Sequence, residues 1–160
     1  MDPKEYAAFL KTLPKKRMAS GALFRDESDR ILLVKPAYKE GWGLPGGVVE
    51  ENESPKSACI REIKEELGLE LPVGRMLLVD YNHPRDIRTE SLMFIFDGGI
   101  LPTKIKAQIQ LCEEELLEWR FFDLDSLPLE MSQTLRERVL IAHRVVVAGS
   151  AIYLEDQRIK

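Results

Sequence analysis

Cysteine and long apolar runs are what this 160-residue chain has least of. Its two cysteines, Cys59 and Cys112, make neither a disulfide framework nor a metal-binding cysteine set. No apolar run approaches the roughly 20 residues that cross a bilayer, and the N-terminus carries no signal-peptide core, so a cytoplasmic location is expected. A strong excess of one charge is missing too. The net charge of −4 speaks against a nucleic-acid coat or a membrane-surface protein. No repeat, low-complexity tract or linker divides the chain, and residues 1–160 suit one domain with a real core.

What the chain does have is carboxylate, gathered in one place. Gly47 to Leu69, GVVEENESPKSACIREIKEELGL, holds Glu53, Glu62, Glu65 and Glu66, with Arg61 among them. Ser54 is an N-cap, Pro55 takes the first helical position and Gly68 follows Leu67 as a stop, which predicts a short helix between them. At about 100° per residue, Cys59, Ile60, Ile63 and Leu67 share one arc, and Arg61, Glu62, Glu65 and Glu66 most of the other. Glu62 meets Glu65 at i+3 and Glu66 at i+4, where like charges repel by a few tenths of a kcal/mol per pair, roughly. Such repulsion suits a solvated face or a hard divalent cation, since Mg²⁺ and Mn²⁺ prefer oxygen ligands and offset it once bound.

The wider spacing decides between those readings. Gly47, five residues, Glu53, seven residues, then Arg61-Glu62-Ile63-any-Glu65-Glu66-any-Gly68-Leu69 resembles the signature of the Nudix hydrolase family at all nine specified positions. The resemblance implies an α/β fold, a Nudix-type α/β/α sandwich around a mixed β-sheet. It implies a phosphoanhydride-splitting enzyme acting on a nucleoside diphosphate linked to another moiety, with Mg²⁺ or Mn²⁺ as cofactor. Carried onto this chain, Glu62, Glu65 and Glu66 become metal ligands, with the Gly46 carbonyl a further one, and Glu53 pairs with Arg61. Gly46 and Gly47 would let the backbone come close to metal or phosphate. Many members of the family also place a glutamate near the strand that precedes the last helix, as metal ligand or general base. Glu114 and Glu115 are the best matches, Glu113 and Glu118 weaker ones, and Glu62 an alternative base.

Before this stretch, residues 1–13 read as an amphipathic helix ended by Pro14, and Lys15-Lys16-Arg17 as a solvated strand edge left outside the site. Met18–Phe24 and Ile31–Val34 form a hairpin, the second strand apolar enough to be covered on both faces. In the glycine-rich loop 38–45, Trp42 either stacks on a substrate or wedges against the sheet. Beyond the stretch, residues 75–82 and 91–96 read as strands joined by a polar loop. In that loop Arg85 and Arg88 are phosphate-gripping candidates and Pro84 resembles a marker of ADP-ribose pyrophosphatases. Residues 104–111 alternate like a strand, Trp119–Phe122 is another, and Ser132–Ala148 is a helix stopped by Gly149, on which His143 is a bystander. The tail is a short strand or loose.

A small nucleotide-type substrate is thus the expected partner, with Gly47, Arg85, Arg88 and Trp42 as substrate contacts. Membrane and nucleic acid are not expected, and homodimers are common in the family. The alternatives within it are a nucleotide-sugar or ADP-ribose pyrophosphatase, a nucleoside triphosphate pyrophosphatase, an RNA-end hydrolase and a non-catalytic nucleotide sensor.

Overall fold

The computed structural model describes residues 2–160. In chain order the elements are α1 (Pro3–Thr12), β1 (Arg17–Arg25), β2 (Ile31–Pro36), β3 (Gly46–Val48), α2 (Pro55–Leu67), β4 (Met76–Asn82) and β5 (Ser91–Ile100). They continue with α3 (Thr103–Lys106), β6 (Leu116–Phe122), a 3₁₀ turn (Leu124–Ser126), α4 (Gln133–Ala148), β7 (Ile152–Glu155) and β8 (Arg158–Ile159). The strands form one sheet in the order β6-β2-β1-β5-β4-β7-β8, with β3 added on β1. The sheet is mixed, because β1 lies parallel to β5 and β4 parallel to β7, while the other pairings are antiparallel.

Side-chain alternation explains the layers. Ile31, Leu32, Leu33 and Val34 are all buried, but Ile31 and Leu33 join the core beneath α4 while Leu32 and Val34 join the core beneath α2. Leu23 and Ile95 face the first core; Ala22, Phe24 and Phe96 face the second. The result is the α/β/α sandwich expected from the sequence, with α2 on one face and α4 on the other.

The edge of β1 is split, which positions β3 beside α2. β2 meets it only at Arg25 and Ile31, and β3 occupies the rest, pairing Ala19, Ser20 and Gly21 with Val48, Gly47 and Gly46. The loop between β2 and β3 can therefore leave the sheet and return.

Residues 104–111 are not a strand. Thr103–Lys106 is a single helical turn, and Ile105, Ile109 and Leu111 pack against the α2-side core. Their i, i+2 alternation overlaps the i, i+4 spacing of a helical turn, and tertiary hydrogen bonds decide the matter. Gln110 N donates to Leu67 O at 2.9 Å and Cys112 N to Glu66 O at 3.3 Å, so the segment satisfies the free carbonyls at the end of α2 rather than pairing in the sheet. The tail forms the β7–β8 hairpin beside β4. Of the N-terminal helix, residue 1 lies outside the described residues; the remainder is capped by Asp2 and buries none of its side chains.

Candidate active site

α2 starts and stops on its own chemistry. The Ser54 side chain accepts from Ser57 N, Pro55 occupies the first turn, and Gly68 closes the helix in the left-handed conformation at φ 68°. Ala58, Cys59, Ile63 and Leu67 enter the core, while Ile60, placed by periodicity on the same arc, stays 38% exposed. Cys59 is packed so well that burial pushes its thiol up to about 12, which makes it inert core.

The polar side of α2 contributes two carboxylates to a cluster of three. Oxygens of Glu62, Glu66 and Glu115 all lie within 4.8 Å of one another. Glu66 is 5% exposed and forms no ion pair among the described residues; its Oε2 accepts from Gly46 N at 2.9 Å. Burial pushes its carboxyl up to about 8, the Gly46 N–H opposing the shift and the charges of Glu62 and Glu115 adding to it. Burial raises Glu62 as well, although Arg61 beside it pulls the other way.

Two glycines of β3 fit the cluster to the sheet, Gly47 on the cluster side and Gly46 on the β1 side. A Cβ on Gly47 would stand 2.5 Å from Glu62 Cδ and Oε1, so that carboxylate lies directly against the backbone of β3. Gly46 has φ +143°, and a Cβ there would come within 2.1 Å of Ser20 O, which makes any larger residue incompatible with the β1–β3 pairing.

Arg61 organises the other side. It holds Glu53 in a fork, Nε to Oε1 at 2.9 Å and Nη2 to Oε2 at 3.0 Å, and Nη2 also donates to Val48 O at 3.1 Å. Its Nη1 donates to Glu62 Oε1 at 2.8 Å and to Glu65 Oε2 at 2.9 Å. One guanidinium thus ties the loop after β3 to α2, holding Glu53 below the usual carboxylate range while its own pKa rises.

Glu65 is therefore drawn to Arg61 and is not brought into the cluster of three. Glu115 takes that place. The segment docked on the end of α2 makes a tight turn, with Glu115 N donating to Cys112 O at 2.9 Å and Ala37 N to Glu115 O at 2.8 Å, and this pins Glu115 beside Glu66. Glu113 and Glu114 on the same turn are exposed, and the Glu118 side chain pairs with Arg120.

A NUDIX domain model matches residues 15–143. The chain belongs to the Nudix hydrolase family. It is 36% identical over 107 residues to an ADP-ribose pyrophosphatase of Methanocaldococcus jannaschii, a match covering 64% of this chain and 60% of that one. Over 76 residues it is 38% identical to human diphosphoinositol polyphosphate phosphohydrolase 2, covering 47% of this chain and 42% of the relative. The chain thus spans less than two thirds of the length of either. The crystal structure of a UDP-X diphosphatase is similar with a TM-score of 0.73 and 26% identity, covering 96% of this chain and 75% of that one.

In this Nudix chain β3 separates the acid cluster from an open cleft of about 1460 Å³. Gly47 touches Glu62 on one side, and its neighbours Val48 and Val49 line the cleft together with Glu50 to Glu53. Arg85 and Arg88 line it from the β4–β5 loop, a turn closed by mutual backbone hydrogen bonds between those two residues, and Arg85 Nη2 lies 3.3 Å from Asp156 Oδ2.

Trp42 is not placed to stack on a substrate. It is 8% exposed in the α4-side core, edge-on to Phe122 with centroids 4.9 Å apart, because the glycine-rich loop folds back onto β2 through the Val34–Gly43 bridge.

Several cleft residues escaped the sequence reading. Lys15, Lys16 and Arg17 are part of its wall, since the parallel register sets Arg17 opposite Ser91 and next to the β4–β5 loop. Lys39 also lines it. Asn82, Arg138 and Gln157 lie over buried Asp80, which accepts from Arg138 Nε at 2.7 Å and from Gln157 Nε2 at 2.9 Å. Three separate chain segments meet there, and no local pattern marks them.

Proposed function

We propose that this chain is a divalent-metal-dependent pyrophosphohydrolase that cleaves a phosphoanhydride bond in a substrate whose diphosphate joins two moieties. The convergence of Glu62, Glu66 and Glu115 carries the reading. Three carboxylates share one small volume, one of them buried without a cation, and an all-oxygen donor set of that charge fits Mg²⁺ or Mn²⁺. When bound there, such an ion supplies charge neutralisation for the phosphate oxygens and a nucleophilic water at neutral pH.

The protein groups position and polarise. Glu66 is aimed by the Gly46 N–H, Glu62 is steadied by Arg61, and Glu115 is fixed by the turn that packs on α2. The bare backbone at Gly47 lets the Glu62 carboxylate lie against β3, and Gly46 lets β3 pair closely with β1 while its N–H points at Glu66. Glu65 lies within one turn of the cluster and serves as a ligand only if it leaves Arg61. Glu62 and Glu115 are the groups within reach of the cluster that can accept the proton of the attacking water.

The anhydride chemistry is common to relatives whose names otherwise differ, an ADP-ribose pyrophosphatase and a diphosphoinositol polyphosphate phosphohydrolase. No helix among the described residues is long and apolar enough to cross a membrane. The test is turnover by purified protein of ADP-ribose, nucleotide sugars, nucleoside triphosphates and diphosphoinositol polyphosphates with Mg²⁺ or Mn²⁺. The reading expects cleavage of at least one, abolished by chelator and by Glu66→Gln. Cleavage that survives both would overturn it.

A further inference from the structure

The cleft beside β3 is rich in cations and poor in rings. Among the described residues Lys15, Arg17, Lys39 and Arg88 line it without forming an ion pair, whereas Lys16, Arg85 and Arg138 are paired with Glu90, Asp156 and Asp80. Lys15 and Arg17 lie just before and at the start of β1, Lys39 on the β2–β3 loop and Arg88 on the β4–β5 loop, and the same lining includes the acidic loop Glu50 to Glu53. Arg17 holds the two walls together, donating from Nε to Thr89 Oγ1 at 2.8 Å and from Nη2 to Thr89 O at 2.6 Å.

A site that recognises a nucleobase uses an aromatic face for stacking and free amides or backbone groups for its edge. No Phe, Tyr or Trp lines this cleft among the described residues. Tyr38, exposed nearby in sequence, lies outside the lining, and the Lys39 ammonium stands 5.6 Å from its ring centroid. Of the amides that line the cleft, Gln157 is engaged with Asp80 and Asn82 with Arg138 and Ser91, which leaves the exposed Asn52 on the acidic loop as the one without a side-chain hydrogen bond among the described residues.

We propose that the part of the substrate lying in this cleft is a polyphosphorylated moiety, gripped by Lys15, Arg17 and Arg88, rather than a stacked base. The proposal rests on the pyrophosphohydrolase reading for the position of the scissile diphosphate at the acid cluster. Lys39 connects the two places: it lines the cleft and sits on the β2–β3 loop that leads into Gly46, whose N–H holds Glu66. A diphosphate at the cluster would carry its outlying moiety past Lys39 towards Arg88 and Lys15. Ionised phosphates there would meet three cations that form no ion pair among the described residues, although Glu50, Glu51 and Asp86 share the lining, and exposed charges of this kind attract polyanions in a salt-dependent way.

Calorimetric binding in chelator tests this without any need for turnover, so its outcome is independent of whether the chain proves to be a hydrolase. The probes are inositol hexakisphosphate, carrying phosphate without a base, and ADP-ribose, carrying a base and only a diphosphate. The hexakisphosphate is expected to bind at least about tenfold more tightly, weakening as salt rises. Lys15→Ala and Arg88→Ala should each weaken it by about tenfold, and Arg88→Lys should restore most of the loss. Unchanged circular dichroism and thermal midpoint would show that the variants remain folded, as expected for exposed side chains outside the core. Tighter binding of ADP-ribose, or hexakisphosphate binding indifferent to both alanine variants, would overturn the proposal.

Discussion

Gly47 and Glu62 compete for one space: the position a Cβ would take on Gly47 lies 2.5 Å from the Glu62 carboxylate. The obstructing atoms are the far end of a flexible side chain, so a methyl group there moves the carboxylate before it breaks the β1–β3 pairing. Gly47→Ala is therefore expected to keep the fold and weaken Mn²⁺ binding by about tenfold or more, the usual cost of misplacing a metal's surroundings. Titration calorimetry with Mn²⁺ checks this, and an unchanged affinity would remove Glu62 from the site.

Arg61 acts through its neighbours, tying Glu53, Glu62, Glu65 and Val48 O together. Arg61→Ala should lower turnover by about 10- to 100-fold. Arg61→Lys should recover little of it, because an ammonium cannot reproduce the fork on Glu53. Steady-state rates with circular dichroism separate this from unfolding. Full recovery by lysine would show that charge alone matters.

Glu66 gives the ion-free protein a pH signature. Its carboxyl is raised from 4.5 to about 8 by burial. A raised pKa contributes stability that is fully present below about pH 4.5 and lost as pH rises through about 8. In chelator the thermal midpoint should therefore fall between pH 6 and pH 8.5, roughly, and saturating Mg²⁺ should remove most of that fall by holding the carboxylate ionised. Binding of Mg²⁺ near pH 7 should also release protons, read as a dependence of the calorimetric heat on the buffer's ionisation enthalpy. A midpoint in chelator that rises over this range would contradict the burial argument.

Glu115 and Glu114 are adjacent in sequence and differ in place, the first beside Glu66 and the second exposed. Glu115→Gln should weaken metal binding by about tenfold or more, while Glu114→Gln should leave it within error. Equal effects from the two would mean that the turn after Cys112 is held differently.

Trp42 contributes to stability. Removing the ring with Trp42→Ala should cost about 3 to 5 kcal/mol in denaturant unfolding, the usual range for a buried aromatic. Trp42→Phe, which can still pack on Phe122, should cost less and leave the Michaelis constant unchanged. A raised Michaelis constant at unchanged stability would return Trp42 to the substrate.

Local chemistry explains why so much of α2 was legible. Ser54, Pro55 and Gly68 are read within a turn of where they act, and the apolar run Ile31–Val34 announces burial on both faces before any partner is known. Glu62 and Glu66 follow from helical spacing. What spacing cannot decide is how Arg61 divides its donors; it holds Glu53, Glu62 and Glu65, and of the last two only Glu62 also joins the cluster. Nor can it show that residues 104–111 end α2 instead of adding a strand, because that depends on the free carbonyls of Glu66 and Leu67 some forty residues earlier. The basic wall of the cleft was missed for a similar reason. Lys15 to Arg17 look like a solvated edge until the parallel register of β1 and β5 sets Arg17 against Thr89 and Lys16 reaches Glu90.

The most direct test of the central claim is an anomalous difference map from crystals soaked in Mn²⁺. The account predicts a peak coordinated by oxygens of Glu62, Glu66 and Glu115. An ordered Mn²⁺ bound elsewhere, with those three carboxylates unliganded, would contradict it.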